Sequence, residues 1–299
     1  MKNFEGRVAV ITGGGSGIGR AIGLGLARRG VNVVVADVEL DAAEAVASEI
    51  SEYGVRALPF RVDVAHRAEI EALADAAYAE FGKVDLLFNH AGVNFRPFRT
   101  IWDTSEADLK WIIDVNIWGV VNGVHVFVPR MMEQEGDKHI INTSSMAPMI
   151  KAFGSSAYTM TKAAVDSFSE MIQLELAHEN IGVTILQPGR VATNVANSVR
   201  LRPADEQEAN AKVRGVIEYL ADKGQGSEVA SGPAGSEAVL IDADDVNRVI
   251  QPDEAAEIII AAIEENRLYC TTHRPPVKSI DDRAAALKDA YRSPRPPAN

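Results

Sequence analysis

The chain has 299 residues and a formal net charge of -12. It is long enough to bury one large α/β core or two small ones, and its acidity opposes non-specific attachment to nucleic acid or to an anionic membrane. One cysteine, Cys270, excludes an internal disulfide and a thiolate metal cluster. The histidines (His66, His90, His125, His139, His178, His273) show no metal-ligand spacing such as H-E-x-x-H, so no metal is expected.

Met1 to Gly6 leads into a first strand without a charged-then-apolar leader, and no apolar run approaches the ~18 residues of a membrane span. The expected location is cytoplasmic. Arg7-Val8-Ala9-Val10-Ile11-Thr12 is a short β-branched run, followed by Gly13-Gly14-Gly15-Ser16-Gly17-Ile18-Gly19 and a helical stretch from Arg20 to Arg29. Strand, glycine turn and helix in that order suit a pyrophosphate, because the turn lets backbone N–H groups approach it at the positive end of the helix. A Walker A loop does not fit: from Gly14 the register reaches Gly19 and then Arg20-Ala21, without the lysine and the hydroxyl. Taken alone, the glycines fit a plain loop equally well.

Val31 to Asp37 reads as a fully buried parallel strand ending in an acid, 18 residues beyond Gly19. In a dinucleotide fold such an acid accepts hydrogen bonds from the adenosine ribose and repels a 2′-phosphate. Neither Ser16 nor Val38 supplies a cation for that phosphate, so NAD is favoured over NADP. A helix from Leu40 to Tyr53 leads to a strand over Arg56 to Val62, closing on Asp63-Val64. A helix from Arg67 to Phe81 leads to Val84 to Phe88 and then Asn89-His90-Ala91-Gly92. Strands alternating with helices predict a Rossmann-like, doubly wound parallel sheet, α/β, with helices on both faces and the ligand at the strand C-terminal ends.

Asp108 to Glu135 reads as one long core and interface helix containing Trp111, Asn116, Trp118 and Phe127, which Pro129 should bend or end. His139 to Ser145 is the fifth strand. A helix near Ser155 to Asn180 carries Tyr158 and Lys162, four residues apart on one face. The ammonium is expected to lower the phenol from its ordinary ~10, so that Tyr158 exchanges a proton with an alcohol or carbonyl. By itself the pair also fits a half-exposed tyrosine beside a solvated lysine. Ser145 is no acyl nucleophile, since no G-x-S-x-G surrounds it. Val183 to Leu186 is the sixth strand, followed by Pro188-Gly189-Arg190-Val191-Ala192-Thr193.

In order and spacing these stretches resemble the short-chain dehydrogenase/reductase family, densely over residues 6 to 193 and loosely over 250 to 272. Gly13, Gly17 and Gly19 match its T-G-x-x-x-G-x-G loop, which includes Ser16 and Ile18; Asn89-His90-Ala91-Gly92 stands for its N-N-A-G, with His90 as a departure read as structural. The resemblance implies that Asp63 and Val64 meet the adenine, and that Asn89, Ala91 and Gly92 lie against the cofactor. It implies that Pro188, Gly189, Val191 and Thr193 hold the nicotinamide carboxamide. It further implies that Lys162 binds the nicotinamide ribose, Tyr158 acts as acid and base, Ser145 holds the substrate oxygen, and Asn116 holds a water that connects Lys162 to solvent. Arg190 has no assigned role.

Residues 194–250 are expected to form a substrate lid within one domain spanning 1–272, with a mobile tip at Gly224 to Gly235. Inside it, Ala209 to Leu220 reads as helical. Pro252 to Asn266 is an amphipathic helix and Leu268-Tyr269-Cys270 the last strand. Residues 273–299 form a polar, Pro-rich extension in place of the family's glycine-rich tail. Leu268, Tyr269, Thr272 and His273, with Arg200, Arg202, Pro203 and Ala204, are similar to bacterial dehydrogenases of benzylic alcohols in lignin-derived aryl ethers, which implies a bulky or aromatic secondary alcohol or ketone. A homo-oligomer, dimer or tetramer, is implied by the family. A catalytically silent NAD-binding regulator, and a lyase or epimerase without net redox, are the alternatives on the same fold.

Overall fold

The structure, a computed structural model, describes residues 1–150, 152–223 and 248–290. Among the described residues seven short strands pair in parallel: β1 (Val8–Thr12), β2 (Asn32–Asp37), β3 (Ala57–Arg61), β4 (Leu86–Asn89), β5 (Lys138–Thr143), β6 (Ile181–Gln187) and β7 (Tyr269–Thr271), in the order β3-β2-β1-β4-β5-β6-β7. The chain winds outward from β1 in one direction to β3, then crosses back to β4 and proceeds the other way. That reversal opens a crevice beyond the C-terminal ends of β1 and β4.

Alternation along the strands feeds two cores. Ile11, Val33 and Val35 face the helices α1 (Gly17–Ala27), α2 (Leu40–Ser51) and α9 (Pro252–Glu264), through Ile22, Ile50 and Ile259. Val10, Val34 and Ala36 face the other layer, α3 (Arg67–Phe81), α5 (Gly119–Met132) and α6 (Ser156–Glu175), through Leu73, Phe127 and Ile172. Such burial, at about 25 cal/mol per Å² of apolar surface, is what holds a sheet covered on both faces. Three short helices, α4 (Glu106–Ile113), α7 (Ala204–Ala211) and α8 (Val216–Asp222), and the terminal α10 (Val277–Ala290) complete the described chain.

The expected single helix over Asp108 to Glu135 is α4 and α5 joined by a π-helical segment, Asp114–Trp118, with Asn116 buried at its centre. Pro129 does not end it: α5 runs on to Met132 because Phe127, Val128 and Met131 are all buried against the sheet. The stretch Glu106–Met132 contains an 18-residue window with mean hydropathy 1.4 and is long and apolar enough to cross a bilayer, contrary to the expectation of no such run. Half of that window is buried in this fold, which is the behaviour of a core helix.

The expected helix over Ala209 to Leu220 is broken into α7 and α8. Gly215 is extended there (φ -78°, ψ 165°), and Val216 N–H donates to the Phe98 carbonyl at 2.7 Å, so the break docks on the Pro97-Phe98 loop. The proposed tip at Gly224 to Gly235 lies outside the described residues, as do the last residues of the C-terminal extension.

Candidate active site

The glycine turn is built by close backbone approach. A Cβ on Gly13 (φ +68°) would lie 2.9 Å from Ala91 Cα, and one on Gly19 only 2.2 Å from the Gly13 carbonyl oxygen, so both positions require glycine. Thr12 clamps the turn to the end of β4: its hydroxyl donates to Phe88 O (3.2 Å) and accepts from His90 N (3.0 Å) and Ala91 N (3.2 Å). Asp37, at the end of β2, accepts from Gly15 N at 2.9 Å and from Glu39 N at 3.1 Å. Its carboxylate is thereby fixed beside the turn.

A cavity of ≈ 480 Å³ runs from this turn across the strand ends to the N-terminal part of α6. Of the residues expected at the cofactor, Gly13, Ser16, Gly17, Ile18, Asp37, Asp63, Val64, Ala91, Gly92, Pro188, Gly189, Val191 and Thr193 line it, and so do Ser145, Tyr158 and Lys162. Gly19, Asn89 and Asn116 do not. Gly19 lies under the turn. Asn89 points into the sheet, its amide donating to Asn142 Oδ1 at 2.8 Å. Asn116 accepts from Val93 N (2.8 Å) and donates to Val93 O (3.0 Å) and to Thr161 Oγ1 (3.1 Å), so its side chain sets the backbone that walls the cavity.

At the chemical end, Tyr158 and Ser145 line the cavity together, and Ser145 Oγ accepts from Ala147 N at 3.1 Å. Lys162 Nζ donates to the Thr143 carbonyl at 2.9 Å and lies 5.7 Å from the centre of the Tyr158 ring. The Lys162 carbonyl in turn accepts from Ser144 Oγ at 2.9 Å. Burial raises the Tyr158 phenol above its ordinary value, opposed by the Ser145 hydrogen bond and by the charge of Arg96. The expected lowering rests on Lys162 together with the positive ring of NAD; in the protein by itself Lys162 is buried and directed at a carbonyl, and desolvation of the phenol prevails. Burial also lowers Lys162 to about 8, with Asp166 acting the other way.

His90 lines the cavity, with Nδ1 3.0 Å from Thr143 Oγ1, and is lowered to about 4 by burial and by Lys162. It is neutral near pH 7 and joins the ends of β4 and β5. Several lining residues had no motif to mark them. Val93, Arg96, Trp111, Val115 and Leu201 wall the chemical end, and Arg96 lies over the Phe98 ring, 3.4 Å from its centre. Arg200, noted only through a resemblance, pairs with Glu39 across the turn end of the cavity, and Arg190 also lines it.

With this geometry in view, the comparisons place the molecule in a class. The family model for short chain dehydrogenases matches residues 7–204. The chain belongs to that family and is an oxidoreductase. It is 39% identical over 215 residues to the oxidoreductase SadH of Mycobacterium tuberculosis, covering 71% of this chain and 76% of that one. It is 30% identical over 292 residues to a C alpha-dehydrogenase of Sphingobium, covering 97% and 88%. A short chain dehydrogenase from Burkholderia phymatum, solved in complex with NAD, is 33% identical, covers each chain fully and superposes with a TM-score of 0.81.

Proposed function

We propose that the protein is an NAD(H)-dependent dehydrogenase that interconverts a bulky or aromatic secondary alcohol and its ketone. One observation carries the reading: Ser145, Tyr158 and Lys162 converge at one end of a cavity whose other end is a glycine turn beside a fixed carboxylate. The residues fit a dinucleotide, because the turn is a cradle that Cβ atoms would fill and Asp37 stands where ribose hydroxyls are recognised. The N–H groups from Gly13 to Gly19 and the start of α1 would hold the pyrophosphate, Asp63 and Val64 the adenine, Val191 and Thr193 the carboxamide, and Lys162 the second ribose. NAD supplies hydride acceptance and a positive ring.

The chain supplies orientation and proton transfer. Ser145 donates to the substrate oxygen and stabilises charge that develops on it, while Tyr158 takes the alcohol proton, or returns it in the reverse direction. Asn116 and Thr161 tie the Val93 wall to α6, with Thr161 Oγ1 also donating to the Tyr158 carbonyl at 2.8 Å. Trp111, Val115 and Leu201 give an apolar, aromatic surface beside the phenol, which supports a bulky substrate, as does the likeness to the C alpha-dehydrogenase. Residues 194–250 act as the substrate lid on the single domain of 1–272, with 273–299 as an extension. The working form is a cytoplasmic homo-oligomer formed through the π segment with α5, where Trp118 and Met132 are exposed, and through α6, where Met160, Met171 and Leu174 are exposed.

The test is NADH absorbance during incubation with NAD and a panel of secondary alcohols, from small aliphatic to aryl-glycerol types, for wild type and Tyr158→Phe. The expected result is wild-type turnover that falls by about 10²–10⁴-fold in the variant with cofactor binding kept. Substantial turnover by Tyr158→Phe would remove the phenol from its role, and rearrangement of substrate without NADH would make the enzyme a lyase or epimerase.

A further inference from the structure

The turn after β6 is held from behind by two residues that take no part in the chemistry above. Gly189 N–H donates to Thr272 Oγ1 at 3.0 Å, Thr272 Oγ1 lies 2.8 Å from His273 Nδ1, and His273 Nε2 lies 2.9 Å from the Arg248 carbonyl oxygen. Both side chains are buried. The end groups set the directions. A carbonyl only accepts, so Nε2 carries the hydrogen that faces Arg248; the Thr272 oxygen accepts from Gly189 and its own hydrogen points at Nδ1. The ring packs so closely that a Cβ on Gly189 would lie 2.5 Å from Nδ1.

The same turn is held on its other side by Ile250, whose N–H donates to Arg190 O and whose carbonyl accepts from Ala192 N, both at 3.0 Å. Thr272 directly follows β7, which pairs with β6 as far as Gln187 opposite Thr271. The height of Gly189 above the sheet is thus set by the Thr272–His273 pair, and with it the path of Val191 and Thr193 along the cavity. The supports of the glycine turn, Thr12 and Asp37, share none of these bonds.

We infer that Thr272 and His273 are positioning residues for the nicotinamide half of the cofactor site, coupling the C-terminal segment and Arg248, where the chain returns to the sheet, to the Pro188–Thr193 turn. The inference rests on the NAD reading above. It requires an effect on one half of the cofactor only. Thr272→Val keeps the side-chain shape and removes the hydroxyl, leaving Gly189 N–H and His273 Nδ1 without it. Calorimetry with NADH and with ADP-ribose, which lacks the nicotinamide, reads the two halves apart.

The expected result for Thr272→Val is an NADH Kd raised about tenfold with the ADP-ribose Kd within about twofold of wild type. Thr272→Ser restores NADH binding. His273→Ala is expected to follow Thr272→Val and serves where the valine variant does not fold. Unchanged NADH binding in both variants overturns the inference, and so does equal weakening of the two ligands. Failure of the wild type to bind NADH overturns the NAD reading and this inference together, and is distinguishable from either.

Discussion

Replacing Asp108 with alanine tests how the segment over the site is anchored. Asp108 lies on α4, and its carboxylate accepts from Arg99 Nη1 at 3.2 Å and from Arg202 Nη1; the three side chains are 3%, 0% and 2% exposed. Arg99 also donates to Asn210 of α7, whose amide donates to the Arg96 carbonyl at 2.8 Å. Removing one partner of a buried pair costs ~3–5 kcal/mol, because the charge left behind stays desolvated. Two cations would be left here, but neither is abandoned. Arg202 keeps Glu206 at 2.7 Å, and Arg99 keeps Asn210 and the Phe95 ring 4.3 Å away. The low end, about 3 kcal/mol, is therefore expected. With a urea m-value of about 3 kcal/mol/M the midpoint should fall by about 1 M. Arg202 also lies over the Trp111 ring at 5.0 Å, so the KM for the proposed alcohol substrate should rise while that for NAD does not. A midpoint shift under about 0.3 M would show that the guanidiniums find water at once, and would refute a tightly anchored segment.

Asp37→Ser should raise the ratio of NADP to NAD use, measured as kcat/KM, by about tenfold, since a carboxylate that repels a 2′-phosphate is lost while Glu39 remains nearby. Gly19→Ala places a Cβ 2.2 Å from the Gly13 carbonyl oxygen; NADH fluorescence titration should show binding weakened more than about 100-fold in a protein that still unfolds cooperatively. Acid should destabilise the fold through His139 and His90, held neutral by burial at about 3 and about 4. The unfolded chain binds more protons between those values and ~6.5, so stability is complete above ~6.5 and declines as pH falls below it. Urea midpoints should drop from pH 7 to pH 4.5, and less so in His139→Gln.

The frame of the site was legible because backbone constraints write themselves into residue type. Buried parallel strands leave apolar β-branched runs, and the approach of Ala91 to Gly13 tolerates no Cβ. Tyr158 and Lys162 were found by helical spacing, yet spacing gives no burial, so the rise of the phenol was not foreseen. The π segment around Asn116 was not foreseen, because Asp108 to Glu135 is apolar on much of its surface and reads as one uninterrupted helix. The break at Gly215 depends on a contact with Phe98, far away in sequence. Arg96 and Trp111 reach the cavity from loop and helix positions that carry no periodic signal; only the folded chain shows them on one wall.

Asn89 shows how the halves of the site are kept in register. The Asn89-His90-Ala91-Gly92 run was expected to stabilise the sheet and to lie against the cofactor, and Asn89 does the first. It starts a buried polar thread: its amide donates to Asn142 Oδ1 on β5, the Asn142 amide donates to Ser169 Oγ on α6 at 3.0 Å, and Ser169 donates to Val165 O at 2.7 Å. Strands end where ladder bonds run out, so the peptides beyond them need partners of another kind. Side chains from β5 to α6 meet that need here, with Ser144 and Thr143 bonded to the backbone and side chain of Lys162. An apolar contact at these positions would tolerate sliding, whereas a hydrogen bond loses strength steeply with angle and distance. The polar thread therefore fixes the rotation and height of α6 over the sheet, and Thr12 fixes the glycine turn against the same strand β4. Both ends of the cavity are thus referenced to β4 and its immediate neighbours, which keeps a donor at one end aligned with an acceptor held from the other.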